Sequence, residues 1–136
     1  MSVTTASLLP ADKPVRRQDE DKFHRQVVSY LRWSLPADAD FKHTPNGGLR
    51  SKTAAAKLVP LGTKAGHPDL DLCWRGKVFS IELKTPKGAL SAAQRQRHQK
   101  LEHCGWPVYV CRDLDEVEVV LREAGIPLLA RLEGGR

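Results

Sequence analysis

The sequence predicts an α/β protein in which helices flank a mixed β-sheet. Three observations support this fold class: a pair of alternating strands joined by a tight turn, a helical segment between two apolar strands, and helices towards both ends of the chain. Strands interspersed with helices in this way favour a sheet covered by helices. With 136 residues, 40% of them hydrophobic, the chain is long enough to bury a core of its own.

The strand pair is predicted from the alternation of side chains. In Val78–Lys84, Glu82 and Lys84 share one face of a strand while their apolar neighbours point to the other. Asp69 and Asp71 alternate with leucines in the same way, and a Trp-Arg-Gly-Lys sequence between the two segments predicts a turn. The resulting hairpin brings Asp69 or Asp71 close to Glu82 and Lys84.

An amphipathic helix is predicted from Asp19 onward. Its apolar residues recur at helical spacing and end before Pro36: Phe23, Val27, Tyr30 and Leu31. Residues 1–18 contain small residues, two prolines and mixed charge, so we predict a flexible leader there. The folded domain is accordingly placed at residues 19–125, and residues 126–136 are predicted to form a C-terminal tail.

The second half of the chain predicts a helix between two strands. Ser91 is a suitable N-cap residue, and Gly105 is a suitable residue just beyond the helix. Apolar strands are predicted on either side of this helix, at residues 77–84 and 107–111. If these strands pair in parallel, the connection is a right-handed crossover. Asp113 and Glu116 then have the spacing of a capping box that begins a last helix.

Positive charge is concentrated in the middle of the chain. Residues 41–112 carry thirteen Lys or Arg but only four Asp or Glu, a local net charge of +9. The four acids are Asp69, Asp71, Glu82 and Glu102. A basic region that keeps its acids chiefly at one place suits a polyanionic substrate such as nucleic acid. The alternative is an ordinary basic, solvated surface.

Asp69, Glu82 and Lys84 form a candidate catalytic group. Mg²⁺ prefers hard oxygen ligands, usually one or two carboxylates together with waters and phosphate oxygens. Such an ion activates water and offsets the charge of a phosphate under attack, and a nearby lysine positions that water or stabilises developing negative charge. The alternative is an exposed set of cross-strand charges on a solvated sheet face.

These residues resemble the core motif of the PD-(D/E)XK nuclease superfamily. Pro68-Asp69 followed by Glu82-Leu83-Lys84 matches that motif, and roughly residues 19–121 resemble the VRR-NUC family. Four further features carry this closer resemblance: Glu20 on the N-terminal helix, the Asn46-Gly47 turn, the run Gly62–Asp69, and Gln94. A departure is His24, where many relatives have glutamine.

The resemblance implies a restriction-endonuclease-like fold and hydrolysis of DNA phosphodiesters with Mg²⁺, for which Mn²⁺ substitutes. The implied metal ligands are Asp69, Glu82, the backbone carbonyl of Leu83, and Glu20, with Asp19 and Asp21 as open alternatives for the last. Lys84 would orient or activate water with support from Gln94, whereas His98 would lie at the surface or contact phosphate. The predicted DNA-binding residues are Lys52, Lys57, Lys64, Lys87, Arg95 and Arg97.

The resemblance also implies a partner and a substrate. Small stand-alone members of the family resemble homodimeric endonucleases of branched DNA, including Holliday junctions, which suggests a role in DNA repair and a phage-type origin. Trp33 and residues 126–129 are candidate interface or core residues. The alternatives are a flap or nicking nuclease, a non-catalytic DNA-binding module, and an RNA-binding protein, although no aromatic stacking platform supports the last. No nucleotide-binding loop is found, so we expect no nucleotide cofactor.

The remaining features indicate the compartment. The three cysteines form no CxxC pair, which disfavours a zinc site, and their neighbours suggest core or near-core thiols. We find no signal peptide and no apolar stretch near the ~20 residues that a bilayer span needs. We therefore expect a reduced protein in the cytoplasm of a bacterial or phage-infected cell.

Overall fold

A computed structural model describes residues 2–45 and 56–130 of the chain, with side chains from residue 18 onward. Its elements are α1 (Ser2–Ser34), β1 (Ala39–His43), a 3₁₀ turn (Val59–Leu61), β2 (Leu70–Trp74), β3 (Lys77–Leu83), α2 (Ala92–His103), β4 (Val108–Cys111) and α3 (Leu114–Glu123). The four strands form one mixed sheet flanked by helices. The predicted α/β class is therefore confirmed.

The sheet has the strand order β1-β2-β3-β4. The first three strands pair antiparallel, and β4 pairs in parallel with β3, as the helix between them predicts. Arg75 and Gly76 join β2 to β3 and have φ values of 48° and 80°. Two successive residues with positive φ are typical of the tight turn that matches the twist of a hairpin, so the predicted hairpin is confirmed.

The helices begin and end close to their predicted positions in the second half of the chain. Ser91 and Gln94 form a reciprocal capping box at the start of α2. At α3 the box is only half formed: the Asp113 side chain accepts the Glu116 N–H at 2.8 Å. The Glu116 carboxylate instead accepts the N–H of Arg112, one residue before the position that a box requires.

The start of α1 differs from the prediction. The helix begins at Ser2 instead of Asp19, so the backbone of the predicted leader is helical. Each proline in this segment removes one helical hydrogen bond. Extending a helix that the amphipathic stretch has already nucleated nevertheless costs little per residue, and this explains the early start.

The apolar core lies between one face of the sheet and the helices α1 and α3. The side chains that fill it include Val27 and Leu31 of α1, Leu70 and Ile81 of the sheet, and Val117 and Leu121 of α3. Ile126 is also buried there, so the predicted tail begins inside the core. Glu82 and Ser80 alternate with the core residues of β3 and point to the opposite face, where α2 covers them.

The cysteines do not share one environment. Cys111 is fully buried, and burial raises the pKa of its thiol to about 12, which makes it an unreactive core residue. Cys73 and Cys104 are exposed, so the prediction of core or near-core positions is wrong for these two. No helix of the described residues is long and apolar enough to cross a membrane.

Candidate active site

The hairpin places Asp69 beside Glu82. Asp69 directly precedes β2, and its Oδ2 accepts the backbone N–H of Leu83 at 2.8 Å. The Asp69 carboxylate thereby lies close enough to Glu82 for its charge to act on that side chain. Asp71 is instead the register partner of Ser80 and accepts its hydroxyl. Of the two aspartates that alternation leaves open, the structure brings Asp69 to Glu82.

Glu82 lies in an environment that disfavours its negative charge. Only 2% of the residue is exposed. Burial, followed by the negative charge of Asp69, raises the pKa of Glu82 to about 9, and Lys84 opposes this rise in pKa. Positive charge close to Glu82 would therefore favour its ionised form.

One oxygen of Glu82 lacks a hydrogen bond. Oε2 accepts the side-chain N–H of Gln94 at 3.2 Å. Oε1 is buried and has no hydrogen-bond partner among the described residues, and the same is true of the nearby Nε2 of His98. These two atoms are 3.4 Å apart, which is ion-pair range, but their geometry is not that of a hydrogen bond. An orphaned, buried carboxylate oxygen of this kind is suited to a cation.

The donor set fits a hard divalent cation. Two adjacent carboxylates are the oxygen ligands that Mg²⁺ takes from a protein when water and phosphate complete its shell. Within residues 18–45 and 56–130, no group of three or more His, Cys, Asp or Glu side chains could hold a metal ion. A metal ion bound here would therefore take two side-chain ligands, Asp69 and Glu82, and the Leu83 carbonyl stays a predicted ligand.

Three neighbouring acids on α1, Asp19, Glu20 and Asp21, are candidates for the further metal ligand. The negative charge of Glu20 contributes to the raised pKa of Glu82, although it is the weakest of the causes. Asp21 acts instead on His24, which lies four residues after Glu20 on the next turn of α1. Glu20 is thus an acid of this segment whose charge reaches Glu82. Its role as a ligand stays a prediction.

Lys84 and Gln94 lie on the predicted side of the sheet. The Lys84 side chain is half-buried, and its positive charge acts on both Glu82 and His98. Gln94 has two partners at once: its Oε1 accepts the Ser91 N–H at 2.9 Å while its Nε2 donates to Glu82. The capping box of α2 thus also fixes the orientation of a candidate metal ligand.

Several site residues were missed or misplaced by sequence reasoning. His98 was predicted to lie at the surface or to contact phosphate, but it is buried against Glu82. Its spacing of four residues from Gln94 is the signal that could have shown this. His43, on the edge strand β1 for which no bounds were predicted, contacts the Asp69 carbonyl through Nδ1 at 2.8 Å.

A pair of histidine rings lies beside Asp69. The rings of His24 and His43 meet edge to face with 4.4 Å between their centres. Burial, followed by the charge of His43, lowers the pKa of His24, while Asp69 and Asp21 oppose this effect on the pKa. His24, the position that departs from the family pattern, therefore belongs to the surroundings of the site.

Gly66 allows the segment before Asp69 to approach α2. Its φ is +75°, and a Cβ added there would overlap the backbone carbonyl of Ala93. We expect Gly66→Ala to lower the free energy of unfolding by about 2–4 kcal/mol, because the left-handed backbone and the overlap both add cost. Gly62→Ala is the matched control: its φ is +98° but no atom lies within 4 Å, so a loss of only about 1–2 kcal/mol is expected. Denaturant titration measures both, and equal losses would contradict the close approach.

The predicted DNA-binding residues are spread around the site. Lys57, Lys64, Lys87 and Arg95 are exposed, and Arg97 is half-buried. Arg95 donates to the carbonyl of Leu90 at 2.7 Å, and Arg97 donates to His67 at 3.3 Å. Lys52 and the Asn46-Gly47 turn lie outside the described residues.

Comparison with known proteins identifies the family. Residues 17–113 match the sequence model of the VRR-NUC domain, which is most of the chain. The chain belongs to the VRR-NUC family. A solved structure described as a VRR_NUC domain protein has a TM-score of 0.57 to this chain, covering 76% of it and 85% of the other chain at 22% identity. That likeness shows a shared fold. None of the curated proteins matches the chain significantly.

Family membership assigns the VRR-NUC chain to a nuclease-type family. The matched range includes β1, the hairpin, α2 and β4, and it therefore contains every described residue of the candidate active site. It ends at Asp113, before α3, although α3 supplies buried residues to the core. The family resemblance predicted from the sequence is confirmed.

Proposed function

We propose that this VRR-NUC protein is a metal-dependent endonuclease that hydrolyses DNA phosphodiester bonds and prefers branched DNA such as Holliday junctions. The observation that carries this proposal is the buried Glu82 carboxyl, which has an orphaned oxygen and lies next to the half-buried Asp69 and within reach of the charge of Lys84. A stable fold gains nothing from burying a carboxyl group beside a second one. The pair is explained if it binds a cation during function.

Asp69 and Glu82 would hold Mg²⁺ or Mn²⁺, with the Leu83 carbonyl and Glu20 as further proposed ligands. When bound, the ion would supply positive charge at the phosphate and make water a better nucleophile. The Leu83 N–H keeps the Asp69 carboxylate in place, and the Gln94 amide does the same for Glu82. Both ligands are thus oriented before substrate arrives, which preorganises the site.

Lys84 is proposed to position the attacking water and to stabilise negative charge on the phosphate. Its ammonium group has three donors and no acceptor, and Lys84 directly follows β3, two residues after Glu82, so that strand alternation puts both on one face. The exposed lysine and arginine side chains around the site would contact neighbouring phosphates of the DNA and orient the duplex.

A homodimer is proposed from an exposed apolar surface away from the site. Trp33 and Leu129 are 76% and 73% exposed. Their backbones lie close together, because the Leu129 N–H donates at 2.8 Å to the carbonyl of Ser34, the residue after Trp33. Trp33 is therefore not a core residue. A two-fold dimer would present two active sites to a symmetric four-way junction.

The decisive experiment compares cleavage of end-labelled four-way, flap and linear duplex DNA in Mg²⁺, Mn²⁺ or EDTA. Lys84→Ala is expected to slow cleavage by about 10²–10³-fold, because a charge that stabilises the transition state is lost. Lys100→Ala is the matched control, since it removes an exposed lysine from α2; its rate should equal that of the wild type.

The pattern of products separates the alternatives. Paired, metal-dependent cuts near the junction support the junction-cleaving dimer, whereas cuts confined to flaps or single nicks support a flap or nicking nuclease. Intact DNA in every metal, with tight binding unchanged by EDTA, would leave a non-catalytic DNA-binding module and would contradict the proposed activity.

A further inference from the structure

A chain of hydrogen bonds runs behind the candidate active site and is not used by the proposed mechanism. Trp106 Nε1 donates to Ser80 Oγ at 2.8 Å, and Ser80 Oγ donates to Asp71 Oδ1 at 2.5 Å. His67 Nε2 lies 3.0 Å from the same Asp71 oxygen. Arg97 Nε donates to His67 Nδ1 at 3.3 Å. These hydrogen bonds therefore connect the segment after α2, the sheet, the loop before β2, and α2 itself.

The chemistry of the members fixes the direction of every bond. The indole N–H and the guanidinium N–H can only donate, and a carboxylate can only accept. Trp106 thus turns the Ser80 hydroxyl proton towards Asp71. Because Asp71 accepts from Nε2 of His67, that nitrogen carries the proton, and Nδ1 is left to accept from Arg97.

The series of hydrogen bonds ends at the positively charged Arg97, near the proposed catalytic residues. His67 precedes Asp69 by two residues, and Arg97 directly precedes His98, which lies against Glu82. The contact with His67 uses Nε of Arg97, one of the five N–H donors of a guanidinium. Arginine binds phosphate best through two parallel N–H groups in a fixed plane. Fixing Nε sets the orientation of that plane.

We propose that Trp106, Ser80, Asp71 and His67 form a positioning relay that holds the Arg97 guanidinium for one DNA phosphate next to the bond that is cut. Arg97 contacts the substrate, and the other four residues act through it. This inference rests on the proposed function, because it takes the substrate to be DNA. The relay also accounts for Asp71: this second aspartate of the hairpin helps to orient the arginine that contacts the phosphate and does not bind the metal.

The test measures junction binding in EDTA over a series of salt concentrations, followed by steady-state cleavage in Mg²⁺. Arg97→Ala is expected to weaken binding by about 10-fold and to lower the slope of log affinity against log salt by ~1, since one phosphate contact is lost. Arg97→Lys should restore the salt slope but only part of the affinity, because lysine keeps the charge and loses the planar fork. In cleavage, KM should rise while kcat changes little.

His67→Gln tests the relay itself. Glutamine can place its amide N–H near the Nε2 position and still donate to Asp71, but it offers no acceptor at the Nδ1 position. We expect this variant to weaken junction binding about 5-fold in the wild type and to have no further effect in an Arg97→Ala background. Thermal melting of each variant, with Lys100→Ala as the control on the same helix, verifies that the fold is retained.

The outcomes separate the relay from the proposed function. Independent, additive losses from His67→Gln and Arg97→Ala would overturn the relay, as would an Arg97→Ala variant with unchanged affinity and salt slope. Wild-type protein that neither binds nor cuts any DNA would overturn the proposed function. Wild-type protein that binds and cuts, without coupling between His67 and Arg97, would overturn the relay alone.

Discussion

Glu82→Gln is expected to slow DNA cleavage by at least about 10³-fold, or about 4 kcal/mol of activation free energy. The substitution keeps the shape of the side chain, and an amide oxygen can still accept the N–H of Gln94. It removes the negative charge that a cation would require and can place an N–H group where the orphaned Oε1 lies. Single-turnover cleavage of an end-labelled four-way junction in saturating Mg²⁺ measures the effect.

Glu118→Gln is the matched control for this experiment. Glu118 is 4% exposed, close to the 2% of Glu82, but it lies on α3 and pairs with Arg122 at 3.2 Å. Replacing it changes a buried glutamate outside the candidate site, so the cleavage rate should stay within about 3-fold of the wild type while stability falls. A Glu82→Gln protein that cuts at the wild-type rate would contradict the assignment of Glu82 as a metal ligand.

The metal-free protein is expected to lose stability as the pH rises from about 5 to about 9. An unfolded glutamate has a pKa of about 4.3, whereas burial and the Asp69 charge raise the pKa of Glu82 to about 9 in the folded state. Between these values the folded state binds more protons than the unfolded state, so stability falls with rising pH. One such group gives a slope of at most about 1.4 kcal/mol per pH unit.

Thermal melting in EDTA between pH 5 and pH 9 measures this slope, and the Glu82→Gln variant isolates its cause. The pKa values of His24 and His98 are lowered by burial, so these histidines have the opposite effect and raise stability as the pH increases through their unfolded range. The difference between wild type and Glu82→Gln cancels most of this background.

Mg²⁺ should counteract the loss at high pH in the wild type only. A ligand at 100 times its dissociation constant stabilises the state that binds it by about 2.7 kcal/mol. Because deprotonated Glu82 is the form that would hold a cation under the proposed function, the stabilisation by Mg²⁺ should increase with pH. Identical melting curves for wild type and Glu82→Gln across the pH range, with and without Mg²⁺, would show that Glu82 neither titrates in this range nor binds the metal.

The parts of the site that depend on chain-local patterns are the parts that sequence reasoning predicted. The Arg75-Gly76 turn and the alternation of Glu82 and Lys84 follow from backbone geometry between near neighbours, as does the cap of α2 at Ser91. The alternation of side chains along the strands was enough to put Asp69, Asp71 and Glu82 on one face of the sheet. Alternation could not show which aspartate lies beside Glu82, because both aspartates point to the same face.

The choice between the two aspartates came from pairing and from contacts over long distances in sequence. The register sets Asp71 opposite Ser80, and Asp71 accepts the hydroxyl of Ser80 and contacts His67 Nε2. Asp69 directly precedes β2, and its carboxylate is held by a hydrogen bond from the Leu83 N–H. The burial of His98 likewise depends on how closely α2 packs on the sheet, and the close contact at Gly66 sets that distance.

The sequence by itself therefore determined the α/β class, the hairpin, the cap of α2 and the family, because each depends on residue order and short spacing. Only the tertiary structure decided which aspartate meets Glu82, which oxygen of Glu82 is orphaned, and which histidines face the site. These outcomes depend on desolvation and on contacts between α1, α2 and the sheet. Such quantities arise only when residues distant in the chain pack together and exclude water.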